Sequence, residues 1–191
     1  MNPYNWHLDY GNANWDIRHR FVASYVYELP FFRASEGIVR VIAAGWTIAG
    51  ITTLQSGRSF NVTIATDTAN TSSRGANRPN LVAPPSANCG DGHLSGCIST
   101  QAFAIPPQYT YGTAGRNLLH GPHLFDTDLS LAKTFPISER IHFQFRAEAF
   151  NALNSPQFSN PNAVFGTAAF GSVTSTSINN REIQLAGRLS W

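Results

Sequence analysis

The sequence predicts an all-β protein, an antiparallel meander of long strands from a transmembrane outer-membrane β-barrel, and three observations predict it. First, Ile141, Phe143, Phe145, Ala147 and Ala149 are apolar at every second position, with His142, Gln144, Arg146 and Glu148 filling the gaps. Period two means strand, because successive side chains point to opposite faces. Second, residues 181–191 repeat the pattern. Ile183, Leu185, Gly187, Leu189 and Trp191 alternate with Glu182, Gln184, Ala186, Arg188 and Ser190, so the chain stops on an aromatic. An apolar outer face and a polar lumen are what such barrels show. Third, only 13% of the 191 residues are charged while 12% are aromatic. Soluble domains carry about 25% charged residues.

Taken in order, residues 1–14 read as loop, with Asn2, Asn5, Asn12 and Asn14 beside Tyr4, Trp6 and Tyr10. Alternation begins at Trp15 and runs to Leu29, with Phe21, Ala23, Tyr25 and Tyr27 on one face and Ser24 and Glu28 on the other. Pro30 ends that strand, since it cannot donate to a ladder. After a short connection over 30–37, a long strand is expected from Ile38 to about Ile64. Trp46, Ile48, Gly50, Thr52 and Leu54 share one face, a bend falls at Ser56-Gly57-Arg58, and Phe60, Val62 and Ile64 resume the pattern.

Residues 66–122, rich in Asn, Ser, Thr, Gly and Pro, read as one long loop. A structureless stretch of that length is unusual in a compact domain and is normally functional or mobile. Strand character returns at Phe125, where Leu129, Leu131 and Phe135 oppose Asp126, Asp128, Ser130 and Thr134. Pro136-Ile137-Ser138 is a tight turn, and residues 151–180 form a second long loop before the last strand. Short connections therefore alternate with long ones. Outer-membrane barrels have short periplasmic turns and long extracellular loops, so both long loops are expected outside and Trp191 in the periplasm. Five strands cannot close a barrel, for which about eight is the smallest number. Met1-Asn2-Pro3-Tyr4-Asn5 also lacks the basic start and apolar core of a secretory signal. Both features suggest the C-terminal piece of something longer.

Cys89 and Cys97, with seven residues between them, are the only cysteines and are expected to form a local disulfide. Such a bond belongs to an oxidising compartment. No run of about 20 apolar residues exists to make a membrane helix. Lys and Arg are scattered singly at a net charge of +2, so no nucleic-acid footprint is present.

Motifs for chemistry are weak. Asp126 and Asp128 lie two apart on one strand face, and paired carboxylates serve glycosidases. The plainer reading is that they line a wet lumen and pair with Arg146 or Arg188. His93, His120 and His123 near the two cysteines resemble metal ligands, but zinc prefers tighter cysteine spacing and a disulfide would consume both thiolates. Gly112-Thr113-Ala114-Gly115-Arg116-Asn117 has no Lys-Ser/Thr after it and reads as loop anchoring rather than a phosphate cradle. No Gly-x-Ser-x-Gly occurs. No enzymatic activity, metal or cofactor is expected. Asp126, Asp128, Gln144, Arg146, Glu148, Gln184 and Arg188 are expected to face the lumen. Trp15, Trp46, Tyr25, Tyr27, Phe135 and Trp191 are expected to form interfacial girdles.

Several motifs together resemble a family. Gly115-Arg116-Asn117 with Gly121-Pro122, Asp128-Leu129-Ser130-Leu131, Phe145 through Asn154 and Arg181-Glu182-Ile183-Gln184-Leu185 are similar to the end of a TonB-dependent receptor barrel. The likeness is to the Oar-like subgroup, whose members carry a carboxypeptidase-regulatory-like domain before the plug. Gly45-Trp46, Gln55-Ser56-Gly57 and Arg78-Pro79-Asn80 fit it too, so it covers nearly the whole chain. The resemblance implies a 22-stranded plugged barrel that imports a scarce nutrient with energy delivered through TonB. Its implied partners are outer-membrane lipid, the barrel-insertion machinery, the remainder of the same receptor with its plug and N-terminal strands, and TonB engaged through that remainder. It also implies that Ile183, Leu185, Leu189 and Trp191 form a terminal signal for insertion. The alternative is a secreted β-sandwich ligand-binding module whose long loops bind; it would hide the aromatics that a barrel shows to lipid.

Overall fold

The computed structural model describes residues 2–72, 77–90 and 92–191. Residues 73–76 and 91 of the first long loop, and Met1, lie outside the described residues. The chain runs through β1 (Arg20–Glu28), α1 (Gly37–Ala43), β2 (Thr47–Gln55), β3 (Ser59–Phe60), β4 (Thr63–Ile64) and β5 (Asn80–Leu81). It continues through β6 (Phe103–Ala104), β7 (Leu119–His120), β8 (Leu124–Pro136), β9 (His142–Phe150), β10 (Val164–Phe165) and β11 (Glu182–Ser190). It divides into two compact units, one of residues 21–54, 125–156 and 178–191, the other of 1–20, 55–124 and 157–177.

The first unit is a five-stranded sheet in the order β1-β2-β8-β9-β11. The β8–β9 and β9–β11 ladders are antiparallel. Strands β1, β2, β9 and β11 are nine residues long. At about 3.3 Å per residue that is ~30 Å, and a tilt near 40° projects it onto ~23 Å, close to the ~25 Å apolar band of a barrel wall. The register also settles which residues share a face. Leu129, Ala149 and Ile183 align, as do Leu131, Ala147 and Leu185, and Phe135, Phe143 and Leu189. The other face carries Ser130, Glu148 and Gln184, then Thr134, Gln144 and Arg188. The alternation read from three separate stretches thus adds up to one apolar face and one polar face.

Three boundaries differ from the sequence reading. The long strand expected from Ile38 is instead helix α1 followed by β2. Ile38, Val41 and Ile42 stand at the i, i+3, i+4 spacing of a helix face, and Gly45, at φ +76°, adopts the left-handed conformation that follows a helix end. The first strand begins at Arg20, and Trp15 stands in a turn, 78% exposed. Arg140 and Ile141 belong to the turn before β9, where the amides of Ile137 and Ser138 both donate to the Ile141 carbonyl. No helix among the described residues is long and apolar enough to cross a membrane, which says nothing of strands.

The second unit is the larger departure. The stretches expected to be structureless loops contribute most of a core made of Phe60, Val62, Ile98, Ala102, Phe103, Leu119, Phe170 and Val173. Phe103, Phe165 and Phe170 form a triangle with ring centres 5.3–6.2 Å apart. Phe60 and Val62 belong to this core and Ile64 is fully buried, so the Phe60-Val62-Ile64 alternation is real but lies in this unit and not in the long-stranded sheet. Short pairs replace long strands: β3 with β7 and β5 with β6 run antiparallel, and β4 with β10 parallel. A two-residue ladder orders little by itself. Side chains complete the unit, and the Cys89–Cys97 disulfide closes one loop of it.

Candidate functional site: a two-faced strand wall

The sheet is the part of the molecule whose geometry carries a function. On its polar face, Thr47 and Ala49 of β2, Ser130, Ala132 and Thr134 of β8, and Gln144 and Arg146 of β9 line a shallow trough of about 340 Å³. Arg146 donates to Glu148 at 3.4 Å, a partly exposed pair of a kind worth about 1 kcal/mol or less. Gln184 and Arg188 continue the face along β11. Beyond the trough, Asp126, Asp128, Asn151, Asn179 and Glu182 surround a second hollow of about 210 Å³.

Neither aspartate pairs with an arginine among the described residues. Asp128 accepts the backbone N–H of Asn151 at 3.0 Å, and one buried Asp126 oxygen has no hydrogen-bond partner among the described residues. Asn151 is itself a lock. Its φ is +46°, which Asn tolerates better than most residues. Its side chain donates to the carbonyls of Ser155 and Asn179 and accepts the Ser155 amide. Asp128 therefore holds the turn at the end of β9, a role its strand position did not announce.

The apolar face is laddered differently. The Tyr25 ring lies over Gly50, where a Cβ would come within 2.7 Å of it. The Tyr25 hydroxyl, Thr52 and Thr127 form a chain of contacts at 3.5 and 3.3 Å. Nearer the β8–β9 turn, Trp46 packs edge-on against Phe135 at 6.5 Å and Phe145 at 6.1 Å. Sequence reasoning passed over the residue at the centre of this cluster. Lys133 lies opposite Phe145 on the apolar face and is only 5% exposed. Its one signal was that it interrupts the apolar series between Leu131 and Phe135. Its Nζ sits 4.9 Å from the Phe135 ring centre and 5.6 Å from that of Trp46, and it donates to the carbonyls of Ile42 and Ala44.

Along the edge strand β11, Ile183, Leu185 and Leu189 are 52–68% exposed, and Trp191 beyond it is 91% exposed. An amphipathic antiparallel sheet of strands long enough to span, with its apolar side chains uncovered, is a piece of barrel wall. The sequence profile of the outer membrane beta barrel domain matches residues 1–184. The chain belongs to that family. It is accordingly a protein of the cell outer membrane, in a lipid environment. Neither a curated protein nor a solved structure matches the chain.

Other sites named from sequence lie in the second unit of this barrel domain. Cys89 and Cys97 are disulfide-bonded, so neither thiolate is free for a metal. Ser59 and His120 are partners in the β3–β7 pair, and His120 Nε2 is buried without a hydrogen-bond partner among the described residues. Burial, then the positive charge of Arg18, pushes its pKa down, against a smaller opposing effect from Asp16. The 112–117 glycine loop is an anchor. Thr113 accepts the Leu81 amide, the Ala114 amide reaches the Pro79 carbonyl, and a Cβ on Gly112 would lie 1.9 Å from the Arg78 carbonyl oxygen. Asn117, 2% exposed, donates to the Asn12 carbonyl and to Asn14 Oδ1, and its backbone N–H donates to Asn61. Arg78 bonds to Asp9 and to the Leu8 carbonyl. Arg78-Pro79-Asn80 is thus fastened to Thr113 and Ala114, immediately before Gly115-Arg116-Asn117.

Proposed function

We propose that this chain is the C-terminal part of a larger outer-membrane barrel of the TonB-dependent receptor type, which imports a scarce nutrient. The observation that carries the proposal is the register that gathers Glu148, Arg146, Gln144, Gln184 and Arg188 on one face and Leu131, Phe143, Phe145, Leu185 and Leu189 on the other. In this reading the first set, with Asp126 and Asp128, faces a wet lumen and the second faces lipid. β1 and β11 are the two ends of the sheet order. In hydrocarbon each unpaired backbone group costs several kcal/mol, so further strands would pair with both edges and close the wall. The two long connections would be extracellular and the short ones periplasmic.

TonB, a plug and the remaining strands are partners that the sequence resemblance supplies. The terminal residues Ile183, Leu185, Leu189 and Trp191 would address the chain to the insertion machinery. The role is transport, with no enzymatic step. The exposure of the β11 apolar residues favours this reading over a secreted β-sandwich, which would bury them. The test is the reading frame upstream of Met1 together with uptake by the complete protein. A plug domain in frame, and uptake lost when TonB is deleted, are the expected results. A stop codon immediately upstream, or uptake indifferent to TonB, would sink the receptor assignment while leaving the barrel intact.

A further inference from the structure

Helix α1 has an apolar surface that no core of its own unit uses. Ile38, Val39, Val41 and Ile42 are 49–73% exposed. At 100° per residue these four fall within one broad arc, and Arg40 points the other way. Seven residues do not make a helix stable in water by themselves, so what holds it matters. The last carbonyls of a helix lack partners within it. Here the Ile42 carbonyl accepts Trp46 Nε1 at 3.0 Å and Lys133 Nζ at 3.0 Å, and the Ala44 carbonyl accepts Lys133 as well.

Trp46 and Lys133 both belong to the apolar face of the sheet, among Phe135 and Phe145. The C-terminal end of the helix is therefore fastened to the face that the barrel turns toward lipid. A lysine on such a face would be costly at mid-bilayer. Three positions from the strand end, with its charge spent on helix carbonyls and ring faces, it instead fixes a neighbouring segment. Trp is enriched at this depth in barrels, at the boundary of hydrocarbon and headgroup, and helices with an apolar arc and a basic opposite face lie in that boundary.

We propose that α1 is an interfacial anchor. It lies in the membrane–water boundary beside the β8–β9 turn, its Ile38–Ile42 arc in the acyl region and Arg40 toward phosphate, clamped to the wall by Lys133 and Trp46. The occupant of the exposed arc is phospholipid. The proposal rests on the lipid-facing assignment above.

The test uses the complete folded protein in vesicles of phosphatidylethanolamine and phosphatidylglycerol. Nitroxide labels are placed singly by Ile38→Cys, Arg40→Cys and Ile42→Cys, with Leu185→Cys as the control for the sheet face. The native cysteines are bonded to each other and take no label. Collision with oxygen, which partitions into lipid, is compared with collision with a water-soluble nickel chelate. Labels at 38, 42 and 185 should favour oxygen and the label at 40 should favour nickel. Adding Lys133→Met should mobilise the labels at 38 and 42 and shift them toward nickel while leaving 185 unchanged. If 185 favours oxygen but 38 and 42 favour nickel, or are shielded from both reagents, the anchor is wrong and the wall assignment stands. If 185 itself favours nickel, both fall. If Lys133→Met changes nothing at 38 and 42, the clamp is refuted.

Discussion

The ammonium of Lys133 lies 5.6 Å from the centre of the Trp46 ring, on the same sheet face as Phe145. Cation–ring attraction, strongest where water is excluded, makes this a cluster rather than a charge stranded in hydrocarbon. Trp46 also makes two edge-on contacts, with Phe135 and Phe145, each worth about 0.5–1.5 kcal/mol beyond area burial. Trp46→Leu should therefore lower barrel stability by about 1–3 kcal/mol, the sum of two such pairs, read from urea unfolding in lipid. Wild-type stability would show that the cluster contributes nothing.

The two faces predict unequal responses to charge. Leu185 sits near the middle of β11 and is 67% exposed, with Gln184 beside it on the opposite face. Leu185→Arg should cost about 2–4 kcal/mol on folding into bilayers if it lies near mid-depth, and Gln184→Arg much less. Equal effects would mean that neither face is turned to lipid, and a larger cost at Gln184 would reverse the assignment.

Asn117 is buried at φ +49° and bonded on both sides. Replacing it with Ala removes two side-chain bonds, leaves the Asn12 carbonyl unpaired at about 1–3 kcal/mol, and forces a left-handed conformation at a further cost of about 1 kcal/mol. Residues 8–14 and 61 should become protease-sensitive well before the sheet. Asn117→Gly relieves the backbone term only, so it should lie between Ala and the native protein.

The Cys89–Cys97 bond encloses a short loop, and chain-entropy arithmetic gives such a loop about 2–3 kcal/mol. Reduction should loosen residues 87–98, where the Asn88 amide bonds the Cys97 carbonyl and the Cys97 amide bonds Gly171. Hydrogen exchange with and without reductant would show this, and a non-reduced digest should recover the two peptides joined. Free thiols at both positions would refute the pairing.

His120 gives a pH dependence. Its pKa in the fold is lowered, mainly by burial, so the folded protein holds the neutral ring more strongly than the unfolded chain does. Stability linked to it is full above the unfolded value near 6.5 and is lost as pH falls through the folded value. Amides of the β3–β7 pair should exchange faster as pH drops below about 6.5, after correction for intrinsic rates, and His120→Asn should flatten that dependence. A native-like slope in the variant would place the titrating group elsewhere.

The strand faces were legible because alternation is local. Phe143, Phe145, Leu185 and Leu189 had only to be read against their neighbours, and β9 and β11 appear within two residues of where the pattern put them. Helix α1 was misread because a run of Ile and Val is compatible with either period, and the strand expected from Ile38 ran through Gly45, which instead follows the helix end. The long loops were misread for a different reason. Their Asn, Ser and Gly residues, which composition marks as irregular, supply the side-chain bonds that order them, as Asn80, Asn117 and Thr113 show.

By itself the sequence determined two things about this protein: the alternation that puts Leu131, Phe143, Phe145, Leu185 and Leu189 on one face and Gln144, Arg146, Glu148, Gln184 and Arg188 on the other along β8, β9 and β11, and that Cys89 and Cys97 lie close enough to bond. Side-chain alternation and short loops are properties of neighbouring residues, so no distant partner is needed to see them. Only the tertiary structure decided that Asp128 secures the Asn151 turn, that Lys133 reaches carbonyls 89 and 91 positions away, and that Asn117 reaches one 105 positions away. Those contacts close large loops of chain. Each is stable only once the sheet, or the Phe103–Phe165–Phe170 core, has brought its ends together, and no local pattern encodes which donor will meet which carbonyl.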